Sequence, residues 1–335
     1  MNSIAKIIGV AVAIAMLGAC SDDDADPAPA PVPLAQATQA EVKDIAALGL
    51  TTSALTGSRV APGLTLLSAV LQNMANYTDG SHAIASTPCT ADGLGGSVSG
   101  TVTKTGSHAG LNAGEQVTFV YDKCFFGDSD MVVDGTVQLT ARSVVVPSAT
   151  GGYSVSFDAV ATGLTITYKG LAARYDGEVE VVSAISDPEA DTISTRFAVP
   201  ADRTFDIVLS AGEPTFSVSY GAGTTFASTS TESTRSASVK LDGTVAAGVA
   251  AGTGAVGSAT GMVAMAIATP TALAGPPPTD LFVATSGVIV TRSIADDLST
   301  SVTIVGDNLT VRGDTDRNGA PDLSFDTTWA GLITP

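Results

Sequence analysis

"MVVDGTVQLTARSVVV", Met131–Val146, decides how the rest of the chain is read. Val133, Val137 and Leu139 alternate with Asp134, Thr136, Gln138 and Thr140, so each half of the stretch presents one apolar face with the period of a strand. The β-branched content points the same way. Between the halves, Gly135 accepts a positive φ, which suits either a tight hairpin turn or a bulge.

This texture extends outward. Upstream stands "EQVTFVYDKC"; downstream, "YSVSFDAV", "LTITYKG", "ARYDGEVEVVSAI", "TISTRFAV", "RTFDIVLS", "TFSVSYG", "SASVKLDGTVAAGV", "GMVAMAIAT", "LFVATSGVIVTRSI", "SVTIVGD", "LTVRGD" and "DLSFDTTW" each have the pattern of a strand or half of a hairpin. Asp176-Gly177 and Asp242-Gly243 repeat the Asp134-Gly135 pair at spacings too unequal for a solenoid or propeller. The expected fold is mainly β: a large antiparallel up-and-down sheet curled into a barrel or half-barrel. An outer-membrane barrel is disfavoured, because a single Trp and few aromatics make no interfacial girdle.

Ahead of the strands, Ala35 to Tyr77 has helical spacing. Val42, Ile45, Ala46 and Leu48 form one apolar face with Gly49 as its stop, and Leu64, Leu66, Leu67, Val70, Leu71 and Met74 form a second after Pro62. Two amphipathic helices packed on the sheet are expected. Gly243 to Thr279 carries no charge, and its small residues suit buried strands covered closely by those helices.

The chain has 335 residues and a net charge of −18, with only 15 Lys and Arg. Phosphate binding needs clustered basic residues, so a nucleic-acid partner is excluded from the expectation. Of the three cysteines, Cys89 and Cys124 form an even pair for a disulfide once Cys20 is assigned elsewhere. Closing that loop would stabilise by roughly 3 to 4 kcal/mol in the chain-entropy account. The rival reading is a pair of buried free thiols.

At the amino end, Lys6 precedes the apolar run Ile7 to Leu17, too short to span a bilayer and right for a signal-peptide core. Leu17-Gly18-Ala19-Cys20 resembles the lipobox of bacterial lipoproteins. That resemblance implies cleavage before Cys20, acylation of its sulfur, and a lipid bilayer as partner; with Ser21 next, it implies the outer membrane. Each buried methylene contributes about 0.8 kcal/mol, so two or three chains make a lasting anchor. Asp22, Asp23, Asp24 and Asp26 follow, then Pro27, Pro29, Pro31 and Pro33 in alternation with small residues, the composition of an extended spacer. The expected organisation is a signal peptide at 1–19, a lipidated tether at 20–34, and a helical segment at 35–80 forming one domain with a β body at 81–335.

"GDTDRNGAPD", Gly313 to Asp322, places Asp314, Asp316, Asn318, Gly319 and Asp322 at positions 1, 3, 5, 6 and 9 of a calcium loop, with the Ala320 carbonyl at position 7. The spacing resembles Asp-x-Asp-x-Asn-Gly calcium loops, and calcium is the one cofactor expected. Position 12 is Phe325 instead of the usual Glu, and the flanks are strands. Arg312-Gly313-Asp314 is discounted as an adhesion tripeptide. Gly252, Gly254 and Gly257 have dinucleotide-loop spacing, but their surroundings are β-like and the motif is refused.

Neither a nucleophile elbow nor a zinc-protease helix occurs, and His82 and His108 stand without partner motifs in Ser/Gly-rich surroundings. The block from Cys89 through Gly114–Cys124 to Asp134–Val137 resembles uncharacterised β-rich lipoproteins of proteobacteria, which implies an envelope location and a paired-cysteine hairpin. The expected function is non-enzymatic: binding or structure in the cell envelope, with a protein or envelope polymer as partner. The alternatives are a half-barrel carrier of hydrophobic ligands and an envelope glycan hydrolase using two carboxylates.

Overall fold

The computed structural model describes residues 35–74, 78–90, 95–126, 131–145, 152–168, 170–186, 192–210, 215–250, 261–277 and 282–333. The signal segment, Cys20, the tether and the Gly252–Gly257 motif lie outside them.

Thr38 opens the first helix through a capping box. Its hydroxyl accepts the Glu41 N–H at 3.3 Å, and the Glu41 carboxylate accepts the Thr38 N–H at 2.7 Å. From there α1 (Gln39–Leu55), a π-helical turn (Thr56–Val60) and α2 (Ala61–Met74) run on as a single helix of 36 residues, where the spacing suggests two.

Gly49 and Pro62 explain the difference. Gly49 does not stop the helix; it is there because an added Cβ would stand 2.0 Å from Thr291 Oγ1 of the sheet. Pro62 does not restart the helix but lies inside it. It lacks an N–H for the carbonyl four residues back, and its ring crowds that turn. The π-turn just before it makes room, with the Ala61 N–H reaching five residues back to the Thr56 carbonyl. Tyr175 then donates its hydroxyl to the Arg59 carbonyl at 3.1 Å.

Among the described residues, sixteen strands make one antiparallel sheet. They are β1 (His82–Pro88), β2 (Ser97–Thr103), β3 (Gln116–Phe126), β4 (Met131–Ala141), β5 (Tyr153–Tyr168), β6 (Leu171–Ile185), β7 (Thr192–Ala198) and β8 (Phe205–Ser210). After these come β9 (Thr215–Tyr220), β10 (Thr225–Thr231), β11 (Ser236–Ala250), β12 (Val263–Gly275), β13 (Ser286–Ser293), β14 (Ser299–Val305), β15 (Asn308–Asp314) and β16 (Leu323–Thr328). A short helix, α3 (Trp329–Ile333), follows. Every pairing is between antiparallel neighbours of a meander, with one elaboration. β7 and β8 share a lane beside β6, and β10 and β9 share a lane beside β11. Where those lanes are interrupted, Phe197, Phe205, Tyr220 and Phe226 pack with ring centroids 5.0 to 6.2 Å apart.

The three Asp-Gly pairs lie inside strands, opposite β-bulges of the neighbouring strands, and are not hairpin turns. Gly135, Gly177 and Gly243 have φ of 101°, 111° and 142°. Beside them the ladder slips, at Tyr121/Cys124, Asp134/Thr136, Ala161/Leu164 and Val239/Gly243. Each aspartate then accepts a backbone N–H from the neighbouring strand: Asp134 from Lys123 at 3.2 Å, Asp176 from Gly163 at 2.6 Å and Asp242 from Thr269 at 2.9 Å. Bulges bend a strand and increase its twist. Placed in β3, β5 and β12, opposite the Asp-Gly pairs, they curl the sheet around the helix.

Along β5, β6 and β14 the inward side chains are mainly apolar and the outward ones mainly polar, as the alternation requires. α1 packs on β11, β13, β14 and β15, while α2 packs on β5, β6 and β7. The helix therefore fills the concave face and joins both halves of the sheet into one core. The expectation for Gly243–Thr279 holds at β11, which α1 covers. At β12 it differs: Ala264, Ala266 and Ala268 face outward, and Met265, Ile267 and Leu273 face in.

Candidate functional site

Residues 314–322 end β15 and form the turn into β16, with a left-handed Gly319 at φ 89°. Buried Asp314 accepts the N–H groups of Asn318 at 3.0 Å and Gly319 at 2.7 Å. The other oxygens of the expected calcium set also have protein partners. Asp316 accepts from the Asn318 side-chain amide at 2.8 Å, Asn318 accepts from the Ala320 N–H at 2.8 Å, and Asp322 takes both the N–H and the hydroxyl of Thr315. Those Thr315 donors hold the Asp322 carboxyl below the usual carboxylate range. A cation here would exchange for these bonds at Asp316, Asn318 and Asp322. Among the described residues, no three His, Cys, Asp or Glu side chains converge as a metal cluster.

The same loop grips the start of the helix. Thr315 accepts the Ala37 N–H at 2.9 Å, and Arg317 donates to the Ala35 carbonyl at 2.7 Å and to the Asp296 carbonyl. Arg312-Gly313-Asp314 is no displayed tripeptide, since Gly313 lies in β15 directly beneath Val42, 2.6 Å from where a Cβ would be.

A second polar cluster gives no sequence motif. Glu115, 2 % exposed, sits at the foot of β3 inside the loop from β2. Its carboxylate accepts the Thr105 N–H at 2.7 Å, the Thr105 hydroxyl at 2.8 Å and the Asn112 N–H at 2.8 Å, with His108 Nε2 at 3.0 Å. Lys104, also buried, donates to the His108 carbonyl at 2.6 Å. Burial alone would raise the Glu115 carboxyl, but the donors from Thr105, Asn112 and His108 outweigh it and hold the group down to about 2. An unfolded glutamate titrates near 4.5. The folded state therefore gains stability from this group above about pH 4.5 and loses it as pH falls from there towards 2. Glu115→Gln should lower stability at neutral pH by about 2 kcal/mol and flatten that part of the acid limb. Urea midpoints measured from pH 2 to 6 check both.

Among the described residues, the helix occupies the concave face of the sheet. Along the contact, Thr56 meets the Tyr220 hydroxyl at 2.6 Å, Thr65 meets Thr195 at 2.7 Å, and Ser68 meets Ser183 at 3.0 Å and Tyr153 at 3.2 Å. The void left between α2 and the sheet, lined by Gly63, Leu64, Leu67, Ala159, Leu164 and Phe205, measures about 10 Å³. That is room for one water at most, whereas ligand pockets run to several hundred Å³. Burial raises the Asp44 carboxyl on α1 against the pull of neighbouring Lys43, but Asp44 does not line this void.

Cys89 and Cys124 come together in disulfide geometry with Cα atoms 5.4 Å apart, tying the turn after β1 to β3. His82 belongs to strand β1 instead of a loop, and its Nδ1 lies 2.7 Å from the Gly80 carbonyl. His108 is held by Glu115, a link of seven residues without any catalytic spacing. No known protein family, curated protein or solved structure matches this chain.

Proposed function

We propose that the chain is a non-enzymatic lipoprotein of the cell envelope, anchored at the outer membrane by acyl chains on Cys20, whose body binds a protein or envelope polymer or serves as structure. The observation that carries the reading is the filled concave face: the body's inner surface is taken by its own helix, so what it offers a partner is its outer face, its loops and its edges.

Expression in a bacterial host tests the anchor. Cys20→Ala should leave the membrane pellet for the soluble fraction, and the amino-terminal peptide of the unaltered protein should carry the mass of two or three acyl chains. A bare thiol at Cys20 would overturn the reading. Photo-crosslinkers on the outer faces of β5 and β12 test the binding role by the partners they capture. Calcium belongs to the proposal as a stabiliser of the β15–β16 hairpin, and calorimetry showing no heat at millimolar calcium would remove it.

A further inference from the structure

The two edges of the sheet differ. β1 is blunted by its own sequence: its register with β2 slips between Ile84 and Thr87, and it ends on Pro88. β16 has neither device. It pairs with β15 residue for residue from Asn308↔Thr328 to Gly313↔Leu323 and contains no proline, and among the described residues no strand pairs with its other side. A regular edge of this kind presents a row of N–H and C=O groups to any strand that can meet it, and folded proteins ordinarily blunt or cover such a row.

The side chains of β16 limit what that strand can be. Leu323, Phe325 and Thr327 lie on the inner face and are half-buried, with Leu323 and Phe325 packed against the core; Ser324, Asp326 and Thr328 are exposed on the outer face. A second copy of the same edge, brought up by a two-fold axis normal to the sheet, keeps inner face beside inner face, so inward residues oppose inward ones. Such an axis must pass through the level of one residue of β16, and the charges distinguish the choices. Centred on Asp326, it sets that carboxylate against its own copy. Centred on Ser324, it sets Asp326 against Asp322 of the second copy. Like charges directly opposite destabilise a sheet. Centred on Phe325, neither clash arises: ring meets ring, Leu323 meets Thr327, and Asp326, the one charge of the strand, meets the hydroxyl of Ser324.

We propose that two copies of the chain pair edge to edge through β16, antiparallel and centred on Phe325, so that their sheets join into one and each closes the open edge of the other. The pairing rests on the body alone and is independent of the acyl anchor.

Cysteine cross-linking on the mature chain tests it, with Cys20→Ala as background so that the added cysteine is the one thiol outside the Cys89–Cys124 pair. Phe325→Cys should cross-link to itself under mild oxidation, because its two Cα atoms face each other at about 4.5 to 5.5 Å. Thr327→Cys alone should not, since its two copies stand about 13 Å apart along the strands, but mixed with Leu323→Cys it should give the mixed dimer. In sedimentation equilibrium the unaltered chain should reach a dimer and stop there. Ser324→Lys, which faces Asp326 of the second copy twice over, should tighten that dimer roughly threefold to tenfold. If Phe325→Cys fails to pair, the Leu323 and Thr327 mixture decides: a mixed dimer supports the register and its absence overturns it. A chain that sediments as a monomer up to millimolar concentration, an assembly that grows beyond two copies, or Thr327→Cys cross-linking to itself as readily as Phe325→Cys would also overturn the proposal.

Discussion

Gly177→Val should lower the stability of the body by about 3 to 5 kcal/mol, read as a shift of the urea midpoint at neutral pH. At φ 111° the valine backbone is strained, and its Cβ would stand 2.3 Å from the Thr204 carbonyl oxygen, a backbone atom with nowhere to go. Relief requires the pairing of β6 with β8 to open at Gly177↔Phe205, next to the β5 bulge that faces Asp176. Asp176→Ala tests the other half of the device. It leaves the bend but orphans the Gly163 N–H, and the expected loss is about 1 to 2 kcal/mol. A Gly177→Val protein with an unchanged midpoint would show that the bulge does not hold the curl.

Removing residues 39–74 should have a larger effect still. Val42, Ile45, Leu50, Val60, Leu64, Leu67, Leu71 and Met74 are all buried. At about 1.5 to 3 kcal/mol each, they contribute roughly 12 to 24 kcal/mol, more than the whole net stability of about 5 to 15 kcal/mol of an ordinary domain. Without its helix the sheet should show no cooperative thermal transition and should bind a hydrophobic dye. The same magnitude bears on the carrier alternative. The helix is long and apolar enough by composition to cross a membrane, and half of its most apolar stretch is buried in the fold. Releasing it to open a groove would take as much free energy as unfolding. A helix-less body that melts cooperatively would make the helix a displaceable plug and revive the carrier.

Much of the fold is legible in local pattern. Period-two alternation from Gln116 onward marks strands because a sheet with one wet face sorts side chains by turn, and Asp-Gly marks bends because only glycine relaxes at those φ values. The continuity of the helix was not legible. A Gly and a Pro ordinarily break helices, and here tertiary contact overrides propensity: Thr291 demands a residue without a side chain, and a π-turn absorbs the proline.

The acidic loop is legible as a turn, but its grip on Ala35 and Ala37 joins residues some 280 positions apart, as the Arg317–Ala35 separation of 282 shows. The Glu115 cluster has no motif at all. Two of its four donors are backbone N–H groups, which every residue carries, so nothing in the side-chain spacing distinguishes them.

By itself, then, the sequence determined strand alternation, the positions of the Asp-Gly bends and the cysteine pair, because each depends on residues close along the chain or on residue type alone. Only the tertiary structure decided that the helix is one piece, that it fills the concave face, and that Glu115 is saturated. Those outcomes depend on which distant surfaces meet, and the helix comes closest to the sheet at Gly49, Gly57 and Gly63, where an added Cβ would meet Thr291, Val239 and Tyr175 within 2.6 Å.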